Sequence, residues 1–155
     1  MTILGIDPGI SRTGYAIIKY EKGEPKLLAC GCITTLPKTA EAVRLLEIKN
    51  DLASIIKKYR PEAMCVETLF FATNIKTAMA VGQARGVVIL LGAEHNLKII
   101  EVSPLQVKIA ATGYGKADKA QVQRMIQTIL KLKKIPKPDD AADAAAIAWA
   151  GIGRN

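Results

Sequence analysis

Four acidic side chains stand at positions from which separate segments of the chain could bring them together. Asp7 ends a short β-branched and apolar run near the N-terminus, and Glu67 ends a second such run. Ligands bind at the carboxyl ends of parallel strands, so both acids would project at one sheet edge if these strands are neighbours. Asp140 and Asp143 are three residues apart at the start of an alanine-rich helix, so they share one of its faces.

Carboxylates gathered in this way repel one another, and their pKa values rise unless a counter-charge is present. Hard divalent cations supply that charge, and oxygen ligands favour Mg²⁺ or Mn²⁺ over zinc. Two such ions, roughly 3.5–4 Å apart, can activate water and stabilise the leaving oxygen during phosphodiester cleavage. An acid pair at a helix start is by itself weak support, because it also suits the helix dipole. Helical geometry leaves Asp139 open as an alternative to Asp140, because it lies four residues before Asp143.

The net charge of +8 is concentrated in one part of the chain. Residues 68–134 include ten basic and three acidic residues, which account for +7 of the total. Such a concentration suggests a polyanionic partner, although a solvated basic surface is the simpler alternative. We expect phosphate contacts from Lys76, Arg85 and Lys108 and from the glycine-rich loop 113–119, which contains Lys116 and Lys119.

Length and composition suit one domain spanning residues 1–155, with half of the residues hydrophobic. The three cysteines are an odd number, which argues against a disulfide framework. A zinc site lacks partners, because His95 is the single histidine. No segment resembles a secretory signal or a membrane span, so we expect a cytoplasmic protein without a membrane partner.

The apolar pattern predicts an α/β fold with a mixed sheet. Three strands joined by short turns come first and predict an antiparallel meander. Later connections are long enough for parallel crossovers. The predicted strands cover 2–7, 14–20, 27–35, 64–67 and 97–102, and the predicted helices cover 45–59, 74–95, the segment after Ser103-Pro104, 118–132 and 139–150.

The whole chain resembles the RuvC family of Holliday-junction resolvases, which have a ribonuclease-H-like fold. The resemblance implies a mixed sheet of five strands, antiparallel over the first three and parallel over the remainder, flanked by helices. The segments that carry it are modest individually and highly specific jointly. They are GIDPGISRTGYAII (5–18), VETLFFATN (66–74), AVGQARGVVI (80–89), QVK (106–108), GKADKAQVQRMI (115–126) and DAADAAAIA (140–148).

The resemblance also assigns roles to individual residues. The family's catalytic and metal-binding acids fall on Asp7, Glu67, Asp140 and Asp143, and the D-A-A-D-A alignment favours Asp140 over its neighbour.

An aromatic residue that wedges against junction bases falls on Phe70 in the same alignment, with Phe71 competing for the role. Basic residues near the scissile phosphate fall on Lys108 and Lys119, where a cation can steady developing negative charge.

The activity implied by the resemblance is symmetric nicking of four-way DNA junctions during DNA recombination and repair. The enzyme would be a Mg²⁺-dependent homodimer with two ions in each site, and Mn²⁺ could replace Mg²⁺. Its products would carry 5′-phosphate and 3′-hydroxyl ends. The predicted helix 74–95 would contribute to the dimer surface through its glycines, and a branch-migrating helicase complex would be a partner.

Other functions fit parts of the pattern. A ribonuclease-H-like nuclease for RNA–DNA hybrids or structured RNA would use the same acids. A non-catalytic module would hold branched DNA through its basic residues, although four acids facing DNA would weaken binding. An actin-like phosphotransferase would explain the Asp7-Pro8-Gly9 turn, but it needs a second phosphate loop and a longer chain. The D-D-x-x-D sequence at 139–143 also occurs in prenyl-diphosphate synthases, which are longer and all-helical.

Overall fold

The computed structural model describes residues 1–68 and 75–154, without the side chains of Ile75 and Lys76. Its strands are β1 (Thr2–Asp7), β2 (Arg12–Glu21), β3 (Glu24–Thr34), β4 (Ala63–Glu67) and β5 (Lys98–Val102). Its helices are α1 (Glu41–Tyr59), α2 (Ile75–Glu94), α3 (Pro104–Thr112), α4 (Lys119–Ile129) and α5 (Asp139–Ile152).

The strand order is β3-β2-β1-β4-β5, which confirms the predicted mixed sheet. The first three strands pair antiparallel, whereas β4 pairs parallel with both β1 and β5. In the β1–β4 pair, Ile6 stands opposite Val66. Asp7 and Glu67 are the next residues of these strands, so both acids lie at the same end of neighbouring strands.

Element ends differ from the sequence prediction by a few residues. The first hairpin is longer than predicted, because the chain reverses at Lys22-Gly23, where both residues have a left-handed backbone. Helix α4 ends at Ile129, whereas the apolar pattern predicts an end near residue 132. The left-handed backbone of Lys131, with φ at 52°, is incompatible with continuing the helix.

Apolar side chains of the strands alternate between the two faces of the sheet. Ile3 belongs to the core that α3, α4 and α5 cover. Leu4 and Ile6 belong to the core that α1 and α2 cover. This alternation follows from the two-residue period of a strand and gives the sheet helices on both faces. In the part of the chain that the structure describes, no helix has the length and apolarity to cross a bilayer.

Helix α5 packs unusually close to the sheet because small residues line both surfaces. A Cβ atom on Gly5 would lie 2.3 Å from the carbonyl oxygen of Ala144, and one on Gly14 would lie 2.1 Å from that of Asp140. The buried face of α5 is formed largely by alanines. The close approach sets the first turn of α5, which carries Asp140, against Gly14 of β2, the residue that pairs with Asp7 of β1.

Capping boxes fix the starts of two other helices beside this edge. Ser103 accepts a hydrogen bond from the backbone of Gln106, whose side chain accepts from the backbone of Ser103. Asp118 and Gln121 form the same reciprocal pair at the start of α4. Both caps agree with the sequence prediction, and the second makes Lys119 the first residue of its helix.

We expect Gly5→Ala to destabilise the protein by about 3 kcal/mol, the upper part of the range for overpacking, because the added methyl meets backbone atoms. Urea unfolding of purified protein measures this difference. Gly153→Ala is the control, since its Cβ would enter open space and should change stability by less than about 0.5 kcal/mol. Equal stabilities of the two variants would contradict the close packing of α5 on β1.

Candidate active site

A cavity of about 240 Å³ lies where the carboxyl ends of β1 and β4 meet α3, α4 and α5. Three of the four predicted acids line it, together with two of the predicted basic residues. Apolar side chains from the three helices complete its wall. The polar lining residues are Asp7, Glu67, Lys108, Lys119 and Asp143.

Crowding and burial act strongly on Asp7. Burial is the largest cause of a rise in its pKa from 3.8 to about 7, and the charges of Glu67, Asp143 and Asp140 raise it further. Burial, and then the charge of Asp143, also raises the pKa of Glu67. Asp140 therefore acts on the cluster although it lies beside the cavity and not in its wall.

Two basic side chains pair with Asp140 and Asp143, two of the three acids of α5. Nη2 of Arg12 lies 2.8 Å from Oδ2 of Asp140. Nζ of Lys119 lies 2.7 Å from Oδ2 of Asp143, and this contact raises the pKa of Lys119. Asp7 and Glu67 have no ion-pair partner within residues 1–68 and 75–154.

The alternative acid, Asp139, is more exposed than Asp140 and has two basic neighbours, Lys137 and Lys119, with Nζ of Lys119 at 3.8 Å from its Oδ2. Its Oδ1 accepts a hydrogen bond from Nζ of Lys137 at 2.9 Å, and this contact lowers the pKa of Asp139. Its side chain is 52% exposed, compared with 24% for Asp140. The charge of Asp140 raises the pKa of Asp7, which supports Asp140 as the fourth acid.

The side chains fit a divalent cation by their chemistry, although they do not form a finished cage. Across the described positions, no three His, Cys, Asp or Glu side chains form a group that could already hold a metal. Asp140 and Asp143 instead turn toward Arg12 and Lys119. All four acids supply oxygen ligands, and a bound Mg²⁺ would relieve the repulsion that raises the pKa of Asp7.

A buried arginine holds the turn that follows Asp7. The Arg44 side chain is almost fully buried, and it donates from Nε to Oγ1 of Thr35 and from Nη2 to Oγ of Ser11, at 2.8 and 2.6 Å. Oγ1 of Thr35 donates in turn to the carbonyl of Ile10. Sequence reasoning missed this network, because Arg44 and Ser11 are 33 residues apart and neither residue type signals the contact.

Arg85, a predicted phosphate contact, binds protein groups in this structure. Its Nε donates to the backbone carbonyl of Glu67 at 3.1 Å, and its Nη2 forms an ion pair with Glu101. Arg85 therefore ties α2 to the ends of β4 and β5. A contact between Arg85 and DNA would have to compete with Glu101.

Of the other predicted DNA contacts, the structure describes the side chains of Lys108 and Lys116. Lys108 lines it from α3, and Lys116 is exposed in the loop before α4. A hydrogen bond from the Tyr114 backbone to Oγ1 of Thr112 helps to hold this loop. Phe70 and its competitor Phe71 lie outside the described residues, as does the side chain of Lys76.

A mixed five-stranded sheet with acids at the carboxyl edge of its central strands defines the class of ribonuclease-H-like nucleases. The family model described as "Crossover junction endodeoxyribonuclease RuvC" matches residues 3–150, and the chain belongs to this family. It is 53% identical over 148 residues to the crossover junction endodeoxyribonuclease RuvC of Alkaliphilus oremlandii, covering 96% of this chain and 90% of the relative.

Two further comparisons agree with this assignment. The RuvC protein of Halothermothrix orenii is 52% identical over 147 residues, covering 95% of this chain and 89% of the relative. The solved structure of T. thermophilus RuvC in complex with a Holliday junction substrate matches with a TM-score of 0.92 at 34% identity. That match covers 97% of this chain and 92% of the other. The chain is therefore an endonuclease of the RuvC family, whose members are generally metal-dependent.

We expect Asp7→Asn to stabilise the metal-free protein at pH 8. A carboxyl whose pKa is raised on folding lowers stability as pH rises from its unfolded value toward its folded value, here from 3.8 to about 7. The full difference corresponds to roughly 4 kcal/mol, and half of it would raise Tm by roughly 4–8 °C. Thermal melts in EDTA at pH 5 and pH 8 should show the larger gain at pH 8.

The control for this experiment is Asp51→Asn, which changes an exposed acid on α1 and should leave both melts within error. Mg²⁺ should raise the Tm of the wild type more than that of Asp7→Asn, because the variant has lost a ligand. A destabilised Asp7→Asn protein at pH 8 would show that repulsion does not dominate at this position.

Proposed function

We propose that this chain resolves four-way DNA junctions by hydrolysing one phosphodiester in each of two opposed strands. Asp7, Glu67, Asp140 and Asp143 are the catalytic carboxylates. Family membership supports the reaction, and the similar T. thermophilus protein was solved with a Holliday junction substrate. The observation that carries the residue assignment is the cavity that Asp7, Glu67 and Asp143 line together, with Asp140 near enough for its charge to raise the pKa of Asp7.

The cofactor in this proposal is Mg²⁺, for which Mn²⁺ can substitute, with two ions in each site. When bound, these ions lower the pKa of the attacking water and stabilise charge on the leaving oxygen. The four carboxylates hold the cations and fix where the phosphate lies. Water oxygen bonds to phosphorus as the bond to the 3′ oxygen breaks, and a proton passes to that oxygen. The products therefore carry 5′-phosphate and 3′-hydroxyl ends.

Basic residues of the cavity bind and orient the DNA strand. Lys119 and Lys108 face the acids from α4 and α3, where their ammonium groups can stabilise negative charge on the phosphate. Lys116 lies close in sequence to Lys119, and Lys76, from its charge, and Phe70, from the family resemblance, are proposed as DNA contacts. Arg85 acts mainly on the protein side by holding the end of β4.

The proposed assembly is a homodimer that uses the exposed face of α2. Met79, Gly86 and Leu90 recur at the spacing of one helical face, and the two apolar side chains are 64% and 57% exposed. A Cβ on Gly86 would meet open space, which permits close approach of a second copy. A two-fold dimer would place one site on each of two opposed junction strands. A branch-migrating helicase complex is a further proposed partner.

We expect purified protein to nick a synthetic four-way junction symmetrically in Mg²⁺ and to leave a matched linear duplex intact. Asp7→Asn, Glu67→Gln, Asp140→Asn and Asp143→Asn should each lower the rate at least about 100-fold, since loss of an outer-shell partner alone costs 10–100-fold. Denaturing gels with either strand end-labelled measure the rates and map the nicks.

Asp139→Asn is the matched comparison for the acid variants, because Asp139 adjoins Asp140 but is 52% exposed and pairs most closely with Lys137, with Lys119 at the longer distance of 3.8 Å. It should retain the wild-type rate within about threefold, the scale of a surface ion pair. Equal cutting of junction and linear duplex would contradict junction selectivity, and cutting in EDTA would contradict the role of metal. Cleavage of RNA–DNA hybrids in preference to junctions would favour the other nuclease function.

Light scattering should give a solution mass of about twice the 16.7 kDa chain. Leu90→Lys should shift the protein to the monomer, because it buries a charge in the proposed interface. Leu105→Lys is the control, since Leu105 is 55% exposed on α3, on the other face of the sheet. A wild-type monomer at micromolar concentration would rule out the stable dimer.

A further inference from the structure

We propose that Arg12 is a second phosphate-binding cation of this site, which contacts the DNA backbone from the β2 side of the carboxylates. Lys119 approaches the same cluster from α4. The proposal rests on the proposed function, because it needs DNA to lie across the acids. It assigns to Arg12 a role that sequence reasoning did not give it.

The position of Arg12 is unusual for a surface cation. It is the first residue of β2 and pairs with Thr34 of β3, so its backbone belongs to the sheet. Nη2 lies 2.8 Å from Oδ2 of Asp140, and the guanidinium also lies beside the Cys32 side chain. The side chain is nevertheless 52% exposed, which leaves other N–H donors directed at solvent.

Hydrogen bonds from Thr13 and from the Arg44–Thr35 pair hold the turn before Arg12. Oγ1 of the buried Thr13 donates to the carbonyl of Gly9 at 2.6 Å. Arg44 and Thr35 fasten Ser11 and Ile10, the two residues that precede Arg12. Because this backbone is held in place, Arg12 meets a bound strand from a fixed direction and loses little conformational freedom on contact.

The charges of the site explain what Arg12 would bind. Arg12 pairs with Asp140, and Lys119 pairs with Asp143 and, at the longer distance of 3.8 Å, with Asp139. When Asp140 ligates a cation, its negative charge is shared with that cation, and the guanidinium is left with a weaker partner. A DNA phosphate is then the strongest nearby anion, and the planar fork of arginine matches it with two parallel hydrogen bonds.

The simpler interpretation is that Arg12 only holds Asp140 in place. The two roles predict different measurements. A phosphate contact releases a counterion from DNA, so its loss lowers the salt dependence of binding. A residue that only orients Asp140 would change the Mg²⁺ requirement for cleavage and leave the salt dependence of binding intact.

The test measures binding of a labelled four-way junction and a labelled linear duplex between 50 and 300 mM KCl. Ca²⁺ takes the same oxygen ligands as Mg²⁺, and gels would verify that it leaves the DNA uncut. Arg12→Gln should weaken binding several-fold at low salt and lower the slope of log K against log salt by about one for each bound protomer. Arg12→Lys should keep the wild-type slope, because it retains the charge.

Lys19→Gln is the matched control. Lys19 lies on the same strand, pairs with Glu21 at 2.9 Å and is 47% exposed. It therefore resembles Arg12 in charge, pairing and exposure, but its partner is not one of the proposed catalytic carboxylates. It should bind like the wild type. An unchanged slope in Arg12→Gln, or the same decrease in Lys19→Gln, would overturn the proposal.

Failure of the proposed function has a separate signature in the same experiment. Wild-type protein that binds junction and duplex equally and cuts neither in Mg²⁺ would contradict junction resolution. The slope on linear duplex would still decide whether Arg12 contacts phosphate. Thermal melts of Arg12→Gln confirm folding, and Arg12→Lys provides a second test in a variant that keeps the ion pair.

Discussion

Repulsion among carboxylates is the constraint on which the rest of this structure depends. Asp7 and Glu67 end neighbouring strands, and α5 brings two more acids against them. An isolated chain would keep these charges apart, so the packed sheet and helices must supply the free energy that holds them together. Burial, and then the charges of the neighbouring acids, raise the pKa of Asp7. Arg12 and Lys119 offset part of the repulsion by pairing with Asp140 and Asp143.

Small residues between the sheet and α5 allow the acids of α5 to approach Asp7. A helix normally stands about 10 Å from a sheet, because side chains fill the gap. Gly5, Gly14 and the alanines of α5 remove those side chains, so backbone approaches backbone. The first turn of α5 then lies against Gly14 of β2, the residue that pairs with Asp7 of β1. Stability and catalytic geometry therefore depend on the same contact, and a methyl group added there disturbs both.

The sequence predicts those features that depend on neighbouring residues in the chain. Apolar runs predicted the strands, and the capping residues Ser103 and Asp118 predicted the starts of two helices. The positions of Asp7 and Glu67 at strand ends predicted them as candidate site residues. Contacts between distant segments could not be predicted in this way. Arg12 meets Asp140 across 128 residues, and the choice between Asp139 and Asp140 depends on which carboxylate turns inward. Arg85 carries the positive charge expected of a DNA contact, but that charge faces Glu101.

The basic residues of the site would have different partners before and after a metal ion binds. Arg12 and Lys119 pair with Asp140 and Asp143, whereas burial raises the pKa values of Asp7 and Glu67. In the proposed metal-bound state, the carboxylates would be ligands, and the guanidinium of Arg12 and the ammonium of Lys119 would be left without their anionic partners. A phosphate is the anion that restores the balance. Metal occupancy and affinity for DNA should therefore rise together, because the same side chains neutralise the acids in one state and the substrate in the other.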